Sequence, residues 1–229
     1  MFFKRLFDIA ASFFGLLILW PIMLLMAVLI KIKMPGGPVL FHQERVGLDG
    51  NLFTCHKFRT MIMNHSGNNV SVAGDSRITP LGAKLRHYKL DELPELWDVF
   101  IGNMSFVGPR PDVPGYADKL EGDDRIILKL RPGITGPATL KYRREDEMIM
   151  DFIASVRRGE SILTIPDDWQ QMSDQELAVW YNDTIIYPDK VRLNKYYYEN
   201  HSFLGDLQII FATIFGGKMK FDGELCGNG

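Results

Sequence analysis

The chain has 229 residues, 46% of them hydrophobic, and carries 26 Lys and Arg against 28 Asp and Glu. That length suits one domain, or one domain with a membrane-associated arm, and the near balance of charge gives no case for a nucleic-acid partner. Cys55 and Cys226 form no CxxC pair and the histidines show no HExxH spacing, which argues against a disulfide scaffold, a thiolate metal site or a zinc site of that type.

The first predicted element is an apolar arm. No charged residue occurs from Ile9 to Ile30, a run about as long as the ~20 residues that a bilayer core requires. Every helical face would be apolar, which points to lipid rather than water. The run is longer than the usual core of a signal peptide, and Lys31 to Pro35 is a poor cleavage site. Lys4 and Arg5 flank one end while Lys31 and Lys33 flank the other, so the positive-inside rule assigns no orientation. Two readings stay open. One is a straight transmembrane helix. The other is a re-entrant hairpin broken at Trp20-Pro21, where proline removes a helical hydrogen bond and the chain returns to the face it entered from.

"PGGP" at Pro35 to Pro38 ends the arm. Val39 to Gln43 and Leu52 to Phe58 read as the strands of a hairpin turned at Asp49-Gly50. Lys57 and Arg59 share one strand face, which by itself reads as a solvated basic edge. Residues 64–76 are polar and rich in glycine, the composition of a loop. Thr79 caps and Pro80 opens a short basic helix reaching Tyr88. "DELPELWDVFIGNM" predicts a second helix with apolar Leu93, Leu96, Trp97 and Phe100. "FVGPRPDVPG" is expected to form no regular structure; its prolines fix an extended or turning backbone around Arg110. "LRPGITGPATLKYRRED" reads as a further rigid turn with Arg131, Arg143 and Arg144 close by. Asp146 to Arg157 and Ser173 to Tyr187 predict amphipathic helices. "FLGDLQIIFATIFGG" is too short to span a bilayer and reads as a core helix or an interfacial one. Tyr196 to Tyr198 before it suit a headgroup boundary.

The stretch "YKLDELPEL", Tyr88 to Leu96, admits two readings. Pro94 favours a first helical turn, in which Asp91, Glu92 and Glu95 would cap the helix and complement its dipole. Lys84, Arg86 and Lys89 precede the pair, however, and Arg110, Arg131 and Arg143 follow on rigid turns. Guanidinium groups around paired carboxylates suit a diphosphate and a divalent ion, because arginine pairs bidentately with phosphate and magnesium takes carboxylate and phosphate oxygens. With no GxxxxGK[ST] and no GxGxxG, any phosphate would be bound by arginines rather than by a glycine loop.

Taken together, these motifs resemble the monotopic bacterial phosphoglycosyl transferases, the sugar transferases of polysaccharide and glycan assembly. The resemblance runs from Lys4 to Phe215 and rests on "KRLFDIAAS", "GGPVLFHQERVGLDGNLFTCHKFRTM", "TPLGAKLRHYKLDELPELWDVFIGNMSFVGPRP", "RPGITG" and "YYYENHSFLGDLQII" in that order. It implies transfer of a phosphosugar from a UDP-sugar to polyprenyl (undecaprenyl) phosphate with release of UMP, the first membrane step of bacterial glycan assembly. Asp91 matches the family's nucleophile, which forms a covalent phosphosugar intermediate. Glu92 matches the ligand of the Mg2+ cofactor. Lys57, Arg86, Arg110 and Arg143 match substrate-contacting cations.

The implied fold class is α+β and mostly helical. A re-entrant helix-break-helix occupies 1–34, a catalytic domain with a small hairpin and amphipathic interfacial helices occupies 35–215, and a tail follows from 216 to 229. The implied location is the bacterial inner (cytoplasmic) membrane, with the catalytic domain on the cytoplasmic face, membrane lipid as a partner and homo-oligomer formation open. Here the chain has Trp20-Pro21 at the break, Pro137 after "GITG" and Asn194 ahead of the tyrosines, where many relatives have Ser-Pro, tryptophan and aspartate. Single-step metal-dependent transfer and a non-catalytic membrane scaffold are the alternatives.

Overall fold

The computed structural model describes residues 2–63, 77–161 and 163–227. The expected polar loop at 64–76 lies outside the described residues. The chain is mostly helical with three two-stranded sheets.

Helix α1 spans Phe2–Lys33 and runs unbroken through Pro21. The expected helix-break-helix is corrected in that respect. Proline deletes one N–H but keeps a helical φ, and the long apolar residues on both sides continue the hydrogen-bond ladder. Among the described residues α1 is the one helix long and apolar enough to cross a membrane. Its two ends nevertheless dock on the same body. Near the start, Lys4 Nζ donates to Asp206 Oδ2 at 2.6 Å, Arg5 donates to the carbonyls of Val99 and Phe100, and Asp8 Oδ1 accepts from Phe106 N. Near the end, Ile30 and Met34 are buried in a cluster with Phe58 and Leu85. Between them Phe14, Leu17, Ile18, Trp20 and Leu25 are exposed.

Strands β1 (Leu40–Val46) and β2 (Leu52–Phe58) pair antiparallel, with Leu40 opposite Phe58 and Val46 opposite Leu52. The hairpin is the expected one, with its first strand starting one residue later and ending three residues later. Asp49 and Gly50 both take left-handed φ in the turn, which is why Asp-Gly suits it. Arg59 is not a solvated edge: it is buried and donates to the carbonyls of Pro38 and Met34, stapling the end of α1 to the hairpin.

Helix α2 (Pro80–His87) starts as expected, with the Thr79 hydroxyl accepting from Gly82 N at 2.9 Å. A Cβ at Gly82 would lie 1.9 Å from the Thr60 carbonyl oxygen, so only glycine lets this helix sit against the end of β2. Helix α3 covers Glu95–Ile101. The stretch around Arg110, expected to hold no regular structure, is corrected at its start: Phe106 and Val107 precede its first proline and lie in strand β3 (Ser105–Val107), which pairs in parallel with β4 (Gly133–Thr135). The region expected as a rigid turn from Leu130 is therefore this strand followed by α4 (Pro137–Lys141).

Helices α5 (Glu145–Arg157) and α6 (Asp174–Tyr181) form a lobe with its own cluster of Phe152, Val156 and Leu177; Ser173 and Glu176 make a reciprocal capping box on α6. A π-turn at Asn182–Ile186 leads into α7 (Tyr187–Asn200). Helix α8 (Phe203–Phe215) buries Asp206, Ile209 and Ala212, and exposes Leu204, Phe211, Ile214 and Phe215. It is a core helix on one face and an apolar surface helix on the other. Tyr197 is buried and donates to Asp206, so it does not face a headgroup layer. Residues from 216 carry a hairpin, β5 (Met219–Phe221) with β6 (Glu224–Cys226), whose Phe221 and Cys226 join the main core beside Leu140, Leu193 and Ile209.

Candidate active site

One cleft of about 910 Å³ is walled by the β1–β2 hairpin, the turn before α3, the loop after β3, and helices α4 and α7. Alternation along β1 and β2 turns Gln43, Arg45 and Lys57 to the same side, toward the cleft. On α7, Tyr187, Lys190 or Val191, and Asn194 recur at helical spacing and line the opposite wall.

Asp91 and Glu92 are not helix caps. Lys89 takes a left-handed φ of 55°, a 3-10 turn over Leu90–Glu92 follows, and Pro94 occupies the position before α3 with no side-chain cap. The inserted turn swings both carboxylates off the helix axis and into the cleft wall. Asp91 is 8% exposed, and its Oδ1 has no hydrogen-bond partner among the described residues. Burial, then the Glu92 charge, push its carboxyl above the usual range, against the pull of Lys57, Arg86 and Lys89.

Glu92 is the reverse case. Its Oε1 accepts from Arg110 at 2.6 Å and from Lys57 at 3.0 Å. Burial works against its charge, but Arg110 and Lys57 hold the carboxyl below the usual range. Lys57 Nζ also lies 3.0 Å from Glu95 Oε1. Burial opposes the ammonium, yet Glu95 and Glu92 keep its pKa above the ordinary value. Arg110 is raised chiefly by Glu92.

All six expected residues, Lys57, Arg86, Asp91, Glu92, Arg110 and Arg143, line this cleft. Arg86 Nε donates to Thr60 Oγ1 at 3.0 Å, which ties α2 to the end of β2. Arg143 donates to the Thr213 carbonyl on α8 at 3.1 Å, away from the Glu92 cluster. Its neighbour Arg144 also lines the cleft and pairs with Glu147. Arg131 does not line the cleft; it donates to the Gly102 carbonyl.

Three further carboxylates shape the site. Glu95, first read as a cap, is 2% exposed and pairs with Lys57; its spacing of three from Glu92 is the signal that both could face one strand. Asp98, one turn further along α3, accepts from His56 N at 2.9 Å and pairs with His56 Nδ1 at 2.7 Å, so α3 is locked to β2. Asp112, two residues past Arg110, is pushed up to about 6 by burial, against Lys190 and Arg45.

Among the described residues no group of three or more His, Cys, Asp or Glu could hold a metal alone. Magnesium commonly takes one or two carboxylates and completes its shell with substrate phosphates and water. Two adjacent carboxylates on a cleft wall, one with an unpartnered buried oxygen, fit that partial set.

The family model described as bacterial sugar transferase matches residues 1–158. The chain belongs to the bacterial sugar transferase family. The chain is 37% identical over 152 residues to the undecaprenyl-phosphate galactose phosphotransferase of Salmonella typhimurium, covering 59% of this chain and 32% of that protein. It is 39% identical over 146 residues to a UDP-N-acetylgalactosamine-undecaprenyl-phosphate N-acetylgalactosaminephosphotransferase of Aeromonas hydrophila, covering 62% of this chain and 34% of that protein. It is 30% identical over 214 residues to the uncharacterized sugar transferase EpsL of Bacillus subtilis, covering 93% and 86%. The chain thus spans about a third of the length of the first two relatives.

Proposed function

We propose that this family member moves a sugar phosphate from a UDP-sugar to undecaprenyl phosphate, in two displacements at Asp91, and releases UMP. The observation that carries the reading is the Asp91 carboxylate, buried and with one oxygen lacking a hydrogen bond among the described residues, beside a cluster of phosphate-pairing cations.

In the first step an Asp91 oxygen attacks the β-phosphorus of the donor. The bond from that phosphorus to the bridging oxygen breaks, and UMP leaves with the electron pair. In the second step an oxygen of the polyprenyl phosphate attacks the same phosphorus. The Asp91–phosphorus bond breaks, the carboxylate is restored, and a polyprenyl diphosphosugar forms. Lys57, Arg86, Arg110 and Arg143 bind and orient the phosphates, and preorganised cations of this kind stabilise the charge that develops on transfer. Glu92, with Asp91 beside it, would hold Mg2+, which when bound neutralises diphosphate charge.

The apolar surface supports work at a bilayer. Helices α1, α3 and α8 meet through Phe7 against Phe203 and Phe13 against Phe100, and expose Trp20, Trp97, Leu204 and Phe215 around those contacts. Because both ends of α1 dock on one body, the reading that fits is monotopic, with α1 held at the cytoplasmic face of the inner membrane rather than crossing it. A straight span would put Lys4 and Met34 on opposite faces, where they could not both reach the domain.

The deciding experiment supplies a UDP-sugar labelled in its β-phosphate without any lipid acceptor. Label is expected on the protein, lost when undecaprenyl phosphate is added, and absent in Asp91→Asn. Active enzyme that carries no adduct and follows sequential kinetics would instead make the transfer a single step. Removal of divalent ions with a chelator is expected to stop UMP release, and re-addition of magnesium to restore it.

A further inference from the structure

We infer that Glu95 is a positioning residue: its buried carboxylate holds the Lys57 ammonium in place at the cleft wall, so that Glu92 is free to turn to a ligand. The inference rests on the transfer reaction proposed above and adds to it a residue that never touches the substrate.

The argument starts from an imbalance at Glu92. One oxygen, Oε1, serves both Arg110 at 2.6 Å and Lys57 at 3.0 Å. Any ligand that claims the Glu92 carboxylate weakens at least one of these pairs. Arg110 tolerates that: it is exposed toward the cleft on a turn between Pro109 and Pro111, and it can follow a phosphate. Lys57 has no such freedom. It lies within β2, opposite Phe41 in the hairpin register, and its side chain is largely enclosed. An enclosed ammonium stripped of its partner is strongly disfavoured.

Glu95 removes that difficulty. It lies 3.0 Å from Lys57 Nζ, on the side away from the cleft, and does not line the cavity. The charged and titratable groups facing Lys57 are Cys55 from its own strand, Asp91 and Glu92 from the 3-10 turn, Arg110 from the loop after β3, and Glu95 from α3. Of the three carboxylates, Glu95 alone is out of a ligand's reach. It is itself fixed: α3 is tied to β2 through Asp98 and His56, and Cys55 Sγ donates to Glu95 Oε1 at 3.6 Å. Lys57 therefore keeps the Glu95 carboxyl as a partner when Glu92 turns away, and has a further N–H to offer a phosphate oxygen.

The test uses the full chain in lipid nanodiscs, with UMP release from a UDP-sugar and polyprenyl phosphate as the assay. Glu95→Gln retains an oxygen for Lys57 but not the charge. Its kcat is expected to fall roughly thirtyfold with donor KM changed less than about threefold, since a small misplacement of a charge-stabilising group costs on the order of a hundredfold. Glu95→Leu is expected to fall further, so that Gln recovers part of the loss. In a Lys57→Met background, Glu95→Gln is expected to cost nothing more. Wild-type kcat in Glu95→Gln, or an equal loss with and without Lys57, overturns the inference, as does a loss accounted for wholly by less folded protein. A wild-type chain that releases no UMP from any UDP-sugar overturns the transfer reading itself, a distinct result.

Discussion

Two polar clusters in this molecule use the same chemistry and end differently. At the start of α1, Lys4, Tyr197 and Asp206 close on one another: Lys4 and Tyr197 each donate to a different oxygen of the Asp206 carboxylate. In the cleft, Lys57 and Arg110 crowd onto one oxygen of Glu92, while a buried oxygen of Asp91 has no hydrogen-bond partner among the described residues. The first cluster is satisfied and fastens a helix. The second has cations in surplus at one carboxylate and a deficit at its neighbour, an arrangement that a phosphate-bearing ligand would even out.

The contrast is broken most severely at Asp91. Asp91→Asn is expected to lower turnover by at least about a thousandfold, as for other groups acting as a unit at the reacting atom. The same variant is expected to melt no earlier than wild type at neutral pH, because the carboxylate is held above its usual pKa and its charge is a burden on the fold. Turnover near wild type, or early melting, would contradict the assignment.

At the satisfied cluster the sign reverses. Asp206→Ala leaves the Lys4 charge without its partner, and thermal or denaturant unfolding is expected to show a loss of about 3 kcal/mol, typical of breaking a buried pair. Activity per folded molecule at saturating donor is expected to survive. Asp112 gives a smaller, pH-dependent effect. Its folded pKa of about 6 exceeds the ordinary carboxylate value, so the folded state favours the protonated form. That contribution is complete below pH ~4 and is lost as pH rises through about 6. Asp112→Asn is expected to add up to about 3 kcal/mol at pH 8 and little at pH 4, read from unfolding curves at the two pH values.

Much of the scaffold was legible locally. The hairpin announced itself through Asp49-Gly50, and α2 through Thr79 and Pro80, because turn and cap chemistry act over a few residues. The six cleft residues were brought together through motifs rather than periodicity. The turn at Asp91 was misread because the left-handed Lys89, a conformation unusual outside glycine, inserts a 3-10 turn that no propensity announces. The Asp206 cluster was missed because its members are far apart in the chain. The trace it left was a lone aspartate in each of two apolar helices, Asp8 and Asp206, since a charge kept in an apolar helix needs a partner.

The docking of α1 also sets an order of events during synthesis. Lys4 and Asp206 are 202 positions apart. The apolar helix is synthesised 202 positions ahead of the carboxylate that fastens its basic end. A chain interrupted before α8 would carry the long apolar helix with Lys4 unmatched, and contacts of such separation are slow to form. The seating of α1 thus reports that translation has passed α8.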